Sequence, residues 1–192
     1  LAAVAIMQDE EPLVARWHAG LHRIQGAFDE FLVIDGGSKD GTVAALELLG
    51  VRVVARAFSG SFAEQRNFAV DQTQSEWIFE LDADEVPSVP LLSGLRTIVR
   101  DANAAGFDCI GIPRLNFHDC ILQPGPGYRG LDYQYRLHRH ECRWHKPVHE
   151  EISGWRARFE LDLAEGHFIQ HLKTATRYEE RNALYRRMEA GG

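Results

Sequence analysis

Three short acidic clusters carry the chemistry this sequence offers. The first is Asp82-Ala83-Asp84-Glu85, which follows the apolar stretch Trp77-Ile78-Phe79-Glu80-Leu81. Side chains two apart on a strand share a face, so Asp82 and Asp84 are expected to face one ligand. Paired carboxylates at a strand end suit a hard divalent cation, Mg or Mn, taken together with substrate phosphates. Helix capping by Asp84 or Ser88, ahead of a helix beginning near Pro90, is the competing use. The second cluster is Asp35-Gly36-Gly37-Ser38-Lys39-Asp40-Gly41. Its glycines let the chain turn sharply, and Asp35 is placed to accept hydrogen bonds from a base or a sugar. Asp40 and Thr42 suit capping of the next helix. Neither a G-x-G-x-x-G turn nor a P-loop lysine pattern is present. The third cluster is Gln8-Asp9-Glu10-Glu11.

Histidines are the other chemical resource. His138, His140, His145 and His149 lie close together around Cys142, and His167 and His171 follow. No glutamate follows the first histidine of a pair as H-E-x-x-H requires, which excludes that zinc-peptidase pattern. A structural zinc site is one alternative; a hydrogen-bonded structural role is the default for any single one.

The elements that would position these residues alternate. Short apolar runs at 2–7, 31–34, 51–55 and 77–81 read as buried strands. Helical spacing appears at 11–24, with Pro12 in a first-turn position, and at 42–49, 62–72 and 91–99. Gly50 sits where a C-cap glycine belongs. Such alternation predicts an α/β protein with a mostly parallel, Rossmann-like open sheet and helices on both faces. Ligands then bind beyond the carboxyl ends of the strands, where all three acidic clusters fall. Past about residue 105 the pattern changes. Strand-like alternation occupies 108–117 and 133–139, a Pro/Gly loop 123–127, and a terminal helix 174–188. The expected organisation is one domain in two parts, 1–104 and 105–192.

Composition agrees with a folded, non-spanning domain. The 192 residues are 45% hydrophobic and 26% charged, which excludes disorder and collagen. No apolar run approaches the roughly 18 residues a membrane helix needs. With 28 acidic against 21 basic residues the net charge is −7, the wrong sign for a nonspecific nucleic-acid binder. Three cysteines without a C-x-x-C pair argue against a disulfide framework and for a reducing compartment. The opening Leu1-Ala2-Ala3-Val4-Ala5-Ile6-Met7 reads as a first buried strand rather than a signal peptide, having no basic residue before it.

AIMQDEEP, VIDGGSKDGT, SFAEQRNFAV and WIFELDADE, in that order and spacing, resemble the family-2 inverting glycosyltransferases of the GT-A fold. Within them the chain is similar to the branch containing bacterial lipopolysaccharide-core glucosyltransferases, whose stretches read roughly N-E-E, V-D-S-G-S-x-D-G-T, F-x-x-Q-R-N and L-D-A-D-E. IPRLNF, YQYRLHR, KPVHEEI and IQHLKT extend the resemblance over nearly the whole chain. Asp9 stands where that family has Asn, and the chain is short for it, which leaves an acceptor segment or C-terminal extension to be expected elsewhere.

The resemblance implies an enzyme that moves a sugar from a nucleotide-diphosphate donor to a hydroxyl of a glycan or lipid-linked glycan, with inversion and a divalent metal. Residues 1–104 would be the nucleotide-sugar-binding half and 105–192 the acceptor-binding and catalytic half of the same domain, with base and ribose near Ile6, Glu10 and Asp35. Arg66 would approach the nucleotide or diphosphate, Asp82 the ribose or metal, and Asp84 would ligate the metal. His149 or His171 would complete the metal shell or touch the diphosphate. Glu150 is the first choice as catalytic base, with Glu85 and Glu151 as alternatives and Asp132 behind them. The implied setting is envelope-glycan synthesis in the bacterial cytoplasm, with no nucleic-acid partner. Arg177, Arg181, Arg186 and Arg187 would suit either a peripheral place on the inner membrane face or packing of the terminal helix on its own domain. The competing function is a nucleotide-sugar-binding or glycan-binding module of the same fold without turnover.

Overall fold

Strand β1 (Ala2–Met7) lies between two parallel neighbours in the N-terminal part of the sheet, and its residues alternate between two apolar clusters. Ala3, Ala5 and Met7 join Val14, Trp17 and Leu21 of α1 (Glu11–Leu21) on one face. Ala2 and Val4 join Ala69 and Val70 of α3 (Phe62–Asp71) on the other. Period 2 in the strand and a 3.6-residue period in the helices thus bury both faces of one sheet. Each large apolar side chain so buried stabilises the fold by roughly 1.5–3 kcal/mol.

The computed structural model describes residues 1–123 and 132–190. Within these, β1 pairs in parallel with β2 (Glu30–Asp35) and β4 (Trp77–Glu80), and β2 pairs with β3 (Arg52–Ala55). Helix α2 (Thr42–Leu48) joins β2 to β3. The later strands extend the same sheet: β8 (Asp132–Arg139) lies antiparallel beside β4, then β6 (Cys109–His118), β12 (Ile169–Lys173) and β5 (Glu85–Pro87). The order is β3-β2-β1-β4-β8-β6-β12-β5, with β7 (Ile121–Leu122) and β11 (Arg158–Glu160) also on β6. A hairpin of β9 (Arg143–His145) and β10 (Glu151–Ser153) stands apart. The expected α/β architecture with a mostly parallel sheet is present.

Helix α4 (Val89–Ala105) is longer than the apolar spacing at 91–99 predicts. Ser88 caps its start, its hydroxyl accepting from the Leu91 N–H at 3.3 Å, and Gly106 at φ 78° ends it. The last polar turn stays helical because Asn103 is held by the Trp77 indole at 2.8 Å. Helix α5 (Ala175–Ala190) ends the chain's described part. The loop expected at 123–127 falls, beyond Gln123, outside the described residues.

Candidate functional site

Asp82 and Asp84 do not lie on a strand. They lie in the short segment by which the chain leaves β4 and crosses to β5, at the far edge of the sheet. They are thus not placed by a shared strand face, yet both line one cavity. Asp82 turns to arginines, and Asp84 turns to His171 on β12.

This crossing forms one wall of a cavity of about 790 Å³ at the carboxyl ends of β1 and β4. That is where the strand order reverses and where open α/β sheets bind ligands. The β1 end contributes Ile6, Gln8, Asp9 and Glu10, α3 contributes Phe62 and Arg66, and the later strands and the β9–β10 turn add Arg114, Arg136, His149, Glu150 and His171. Leu184 and Tyr185 of α5 close over it.

The loops after β1 and β2 are tied together by bonds from backbone N–H groups to side-chain oxygens. Asp9 sits at φ 55°, and its Oδ1 accepts from the Lys39 N–H at 2.7 Å. Its own N–H donates to Ser38 Oγ, while that of Glu10 donates to Thr42 Oγ1 at 2.7 Å. Asp35 is buried and accepts from the Gly37 and Ser38 N–H groups at 3.0 and 3.1 Å, so its carboxylate braces the turn beside the cavity. Asp40 accepts from the N–H of Thr42 at 3.0 Å, the local capping role its position suggests.

Arg66 is 4% exposed and binds three carboxylates: Glu80 at 3.0 Å, Asp82 at 2.7 Å and Glu150 at 3.1 Å. Burial alone would lower the affinity of its guanidinium for its proton; Asp82, Glu150 and Glu80 outweigh burial and raise it well above the ordinary value. The residue expected at the nucleotide is thus the hub of an internal ion network. Glu80 is completely enclosed, accepting also from His138 Nε2 at 3.1 Å and from the Trp144 indole at 2.6 Å. Burial pushes the Glu80 carboxyl up, but His138, Arg66 and Trp144 together hold it below its ordinary value. The sequence reading missed Glu80; an acid inside the apolar run Trp77-Ile78-Phe79 was its signal.

Glu85, an alternative base by sequence, does not line the cavity. It is buried, accepts from Arg114 at 3.1 Å and Arg136 at 3.4 Å, and receives the Asp82 N–H at 3.0 Å. Two guanidiniums enclose it away from any acceptor. Asp132 is likewise taken by Arg114, at 2.7 Å, and Glu151 by Lys146, at 2.5 Å. Glu150 is the candidate base whose carboxylate reaches the cavity.

His171 and Asp84 form the other reactive pair. Asn116 donates from Nδ2 to Asp132 at 3.2 Å, which turns its Oδ1 toward His171 Nδ1 at 2.7 Å. That nitrogen must carry the hydrogen. In the neutral ring Nε2 then presents a lone pair to Asp84 Oδ1, 3.5 Å away. Asp84 Oδ2 is buried and has no hydrogen-bond partner. Burial pushes the Asp84 carboxyl up, and it is a hydrogen bond and positive charge from the protonated form of His171 that draw it down to about 2; the neutral ring instead offers the carboxylate a lone pair. An imidazole lone pair beside a carboxylate with one unsatisfied oxygen is chemistry that fits a divalent cation. Among the described residues no group of three His, Cys, Asp or Glu gathers around one point. The protein would therefore supply two ligands, and phosphate oxygens and water the rest. His149, at φ 53°, lines the cavity with its ring against Tyr185 at 5.5 Å.

Sheet order, strand-end acids and cavity together define the GT-A class of fold. The model of the family described as glycosyl transferase family 2 matches residues 3–168, and the chain belongs to that family. An uncharacterized glycosyltransferase of Rickettsia conorii is 30% identical over 118 residues, covering 62% of this chain and 40% of that protein. The prophage-derived glycosyltransferase SunS of Bacillus subtilis is 26% identical over 137 residues, 70% of this chain and 31% of that one. The chain thus spans at most about two fifths of the length of these relatives. Among solved structures, S. aureus TarS in complex with UDP superposes with a TM-score of 0.51 at 18% identity, over 60% of this chain and 36% of that one. A mycobacterial protein superposes equally well, TM-score 0.51 at 18% identity, over 73% and 53%. These likenesses show the shared fold.

Proposed function

We propose that this chain is the donor-binding and transfer unit of a glycosyltransferase that moves a sugar from a nucleoside diphosphate to an acceptor hydroxyl with inversion. The observation that carries the reading is a single cavity holding both Glu150 and the Asp84–His171 pair. Asp84 and His171 would hold a divalent cation, Mn or Mg, which when bound supplies positive charge to the departing diphosphate. Ile6 and Glu10 edge the side where base and ribose would rest, and Asp35 shapes the turn beneath them. Glu150 receives the acceptor proton, with Arg66 Nε at 3.1 Å fixing its orientation. Asp82 is engaged by Arg66 and Arg136 and acts on the site by holding those arginines in place. The UDP carried by TarS on this fold supports a nucleotide-diphosphate donor. The acceptor would be a glycan or lipid-linked glycan of the bacterial envelope, met on the cytoplasmic side; no helix among the described residues is long and apolar enough to cross a membrane.

The test is a panel of UDP-, GDP- and dTDP-sugars with Mn. Wild type should bind one donor and turn it over, and Glu150→Gln should lose about 10²–10⁴-fold in turnover while retaining UDP binding. One observation favours a second reading, a donor-binding module without turnover: Glu150 is already paired with Arg66. Binding without transfer by the wild type across all donors would establish that reading instead.

A further inference from the structure

Helix α5 lies across the donor side of the cavity, yet none of its described residues is buried. Ring contacts seat it there: Tyr185 against Phe62 at 5.9 Å and Tyr178 against His118 at 4.5 Å. From it Arg177 reaches inward, its Nη2 pairing with both oxygens of Glu10, and its Nε stands 3.6 Å from Asp84 Oδ2. Glu10 follows β1 and Asp84 follows β4, so one guanidinium spans the two strand ends between which the donor site opens. The contact with Asp84 is an ion pair without a hydrogen bond, for both Arg177 Nε and Asp84 Oδ2 lack a partner. The half-made contact lies on the very oxygen offered to the cation.

The charges explain why a cation is needed there in every state. Glu10 and Asp84 together would repel an incoming diphosphate. Arg177, lying on both, offsets one of these two negative charges, with Lys173 also acting on Asp84, but the guanidinium is then engaged by carboxylates. A divalent cation at Asp84 and His171 would compete for Oδ2 and repel the guanidinium. The displaced fork matches phosphate oxygens bidentately. We propose that Arg177 is an internal counter-cation that occupies the Asp84 site before metal binds, and that it is handed over to the donor diphosphate once metal takes its place. This rests on the function proposed above and adds to it a metal-driven exchange within α5.

The exchange predicts opposite effects on two ligands. Calorimetric titration of Mn should show Arg177→Gln binding the metal about three- to tenfold more tightly than wild type, because a competing ion pair is gone. In saturating Mn, the same variant should bind UDP about tenfold more weakly, having lost a charge-assisted contact. Arg177→Lys, which keeps the positive charge, should stay nearer wild type for Mn, and circular dichroism should show α5 intact in both. Unchanged or weaker Mn binding by Arg177→Gln overturns the exchange, and so does unchanged UDP binding. Asp84→Asn separates this from the underlying reading: wild-type Mn affinity in that variant overturns the metal site itself.

Discussion

Replacing Arg66 by Met removes its charge while keeping most of its volume, and so tests whether the ion network is structural. Three charge-assisted hydrogen bonds at about 1.5–3 kcal/mol each set an upper limit. The loss should be smaller than their sum, because each carboxylate keeps other company. Asp82 retains Arg136 at 2.8 Å, Glu80 retains His138 and Trp144, and Glu150 can turn to water in the cavity. What remains is a buried carboxylate without its cation, expected to cost about 3–5 kcal/mol. Urea unfolding at pH 7 measures it. The pH dependence gives a second check. In wild type the Glu80 carboxyl is held below its ordinary value of 4.5. Without Arg66, burial should carry it above that value, so protonation relieves the variant first as pH falls. The stability deficit should therefore be largest above about pH 6 and shrink toward pH 5. A loss under about 1 kcal/mol, or a deficit that grows on acidification, would refute the reasoning.

Asp9→Asn should be neutral or slightly stabilising in thermal melts, since the left-handed backbone at φ 55° favours Asn and the amide oxygen can still accept from Lys39; a loss above about 1 kcal/mol would show that the charge itself matters. Asp108 is held at about 2 by hydrogen bonds from Arg156, against an ordinary 3.8. Its stabilisation is complete above about 3.8 and lost as pH falls toward 2. Asp108→Asn should accordingly melt a few degrees lower at pH 7 and converge on wild type in acid; a constant gap would contradict this. Trp144→Phe removes the indole donor to Glu80 and should cost about 1–3 kcal/mol in urea unfolding. A cost below about 0.5 kcal/mol would mean that Arg66 and His138 suffice for Glu80.

The N-terminal part was legible because its strands are compact apolar runs and its helices are bounded by proline, glycine or capping residues. Strand β1 matches its apolar run residue for residue, and Ser61 opens α3 by accepting from the Glu64 N–H at 3.2 Å. Legibility fails where a residue's role depends on sheet neighbours distant in sequence. Asp82 and Asp84 share a strand face only if the strand continues, and it stops at Glu80. Arg66 is an ordinary helical arginine until β4 and the β9–β10 turn bring carboxylates around it. Asn116 orients His171 across a strand pair that no local pattern announces. The β9–β10 hairpin hides in the histidine-rich stretch because its three-residue strands are too short to show alternation.

The placement of β5 bears on how the chain is made. This strand follows β4 closely in sequence, yet its partner in the sheet is β12, which begins at Ile169, about 80 residues after Pro87. At a synthesis rate of roughly 5–20 residues per second, β5 waits about 4–16 s on the ribosome for the strand that covers it. During that interval the crossing with Asp82 and Asp84 has one end anchored in β4 and the other unpaired. Asp82 and Asp84 then serve as solubilising charge beside an open edge. The cavity is consequently a late product of biogenesis, completed only after β12 has docked and α5 has followed it.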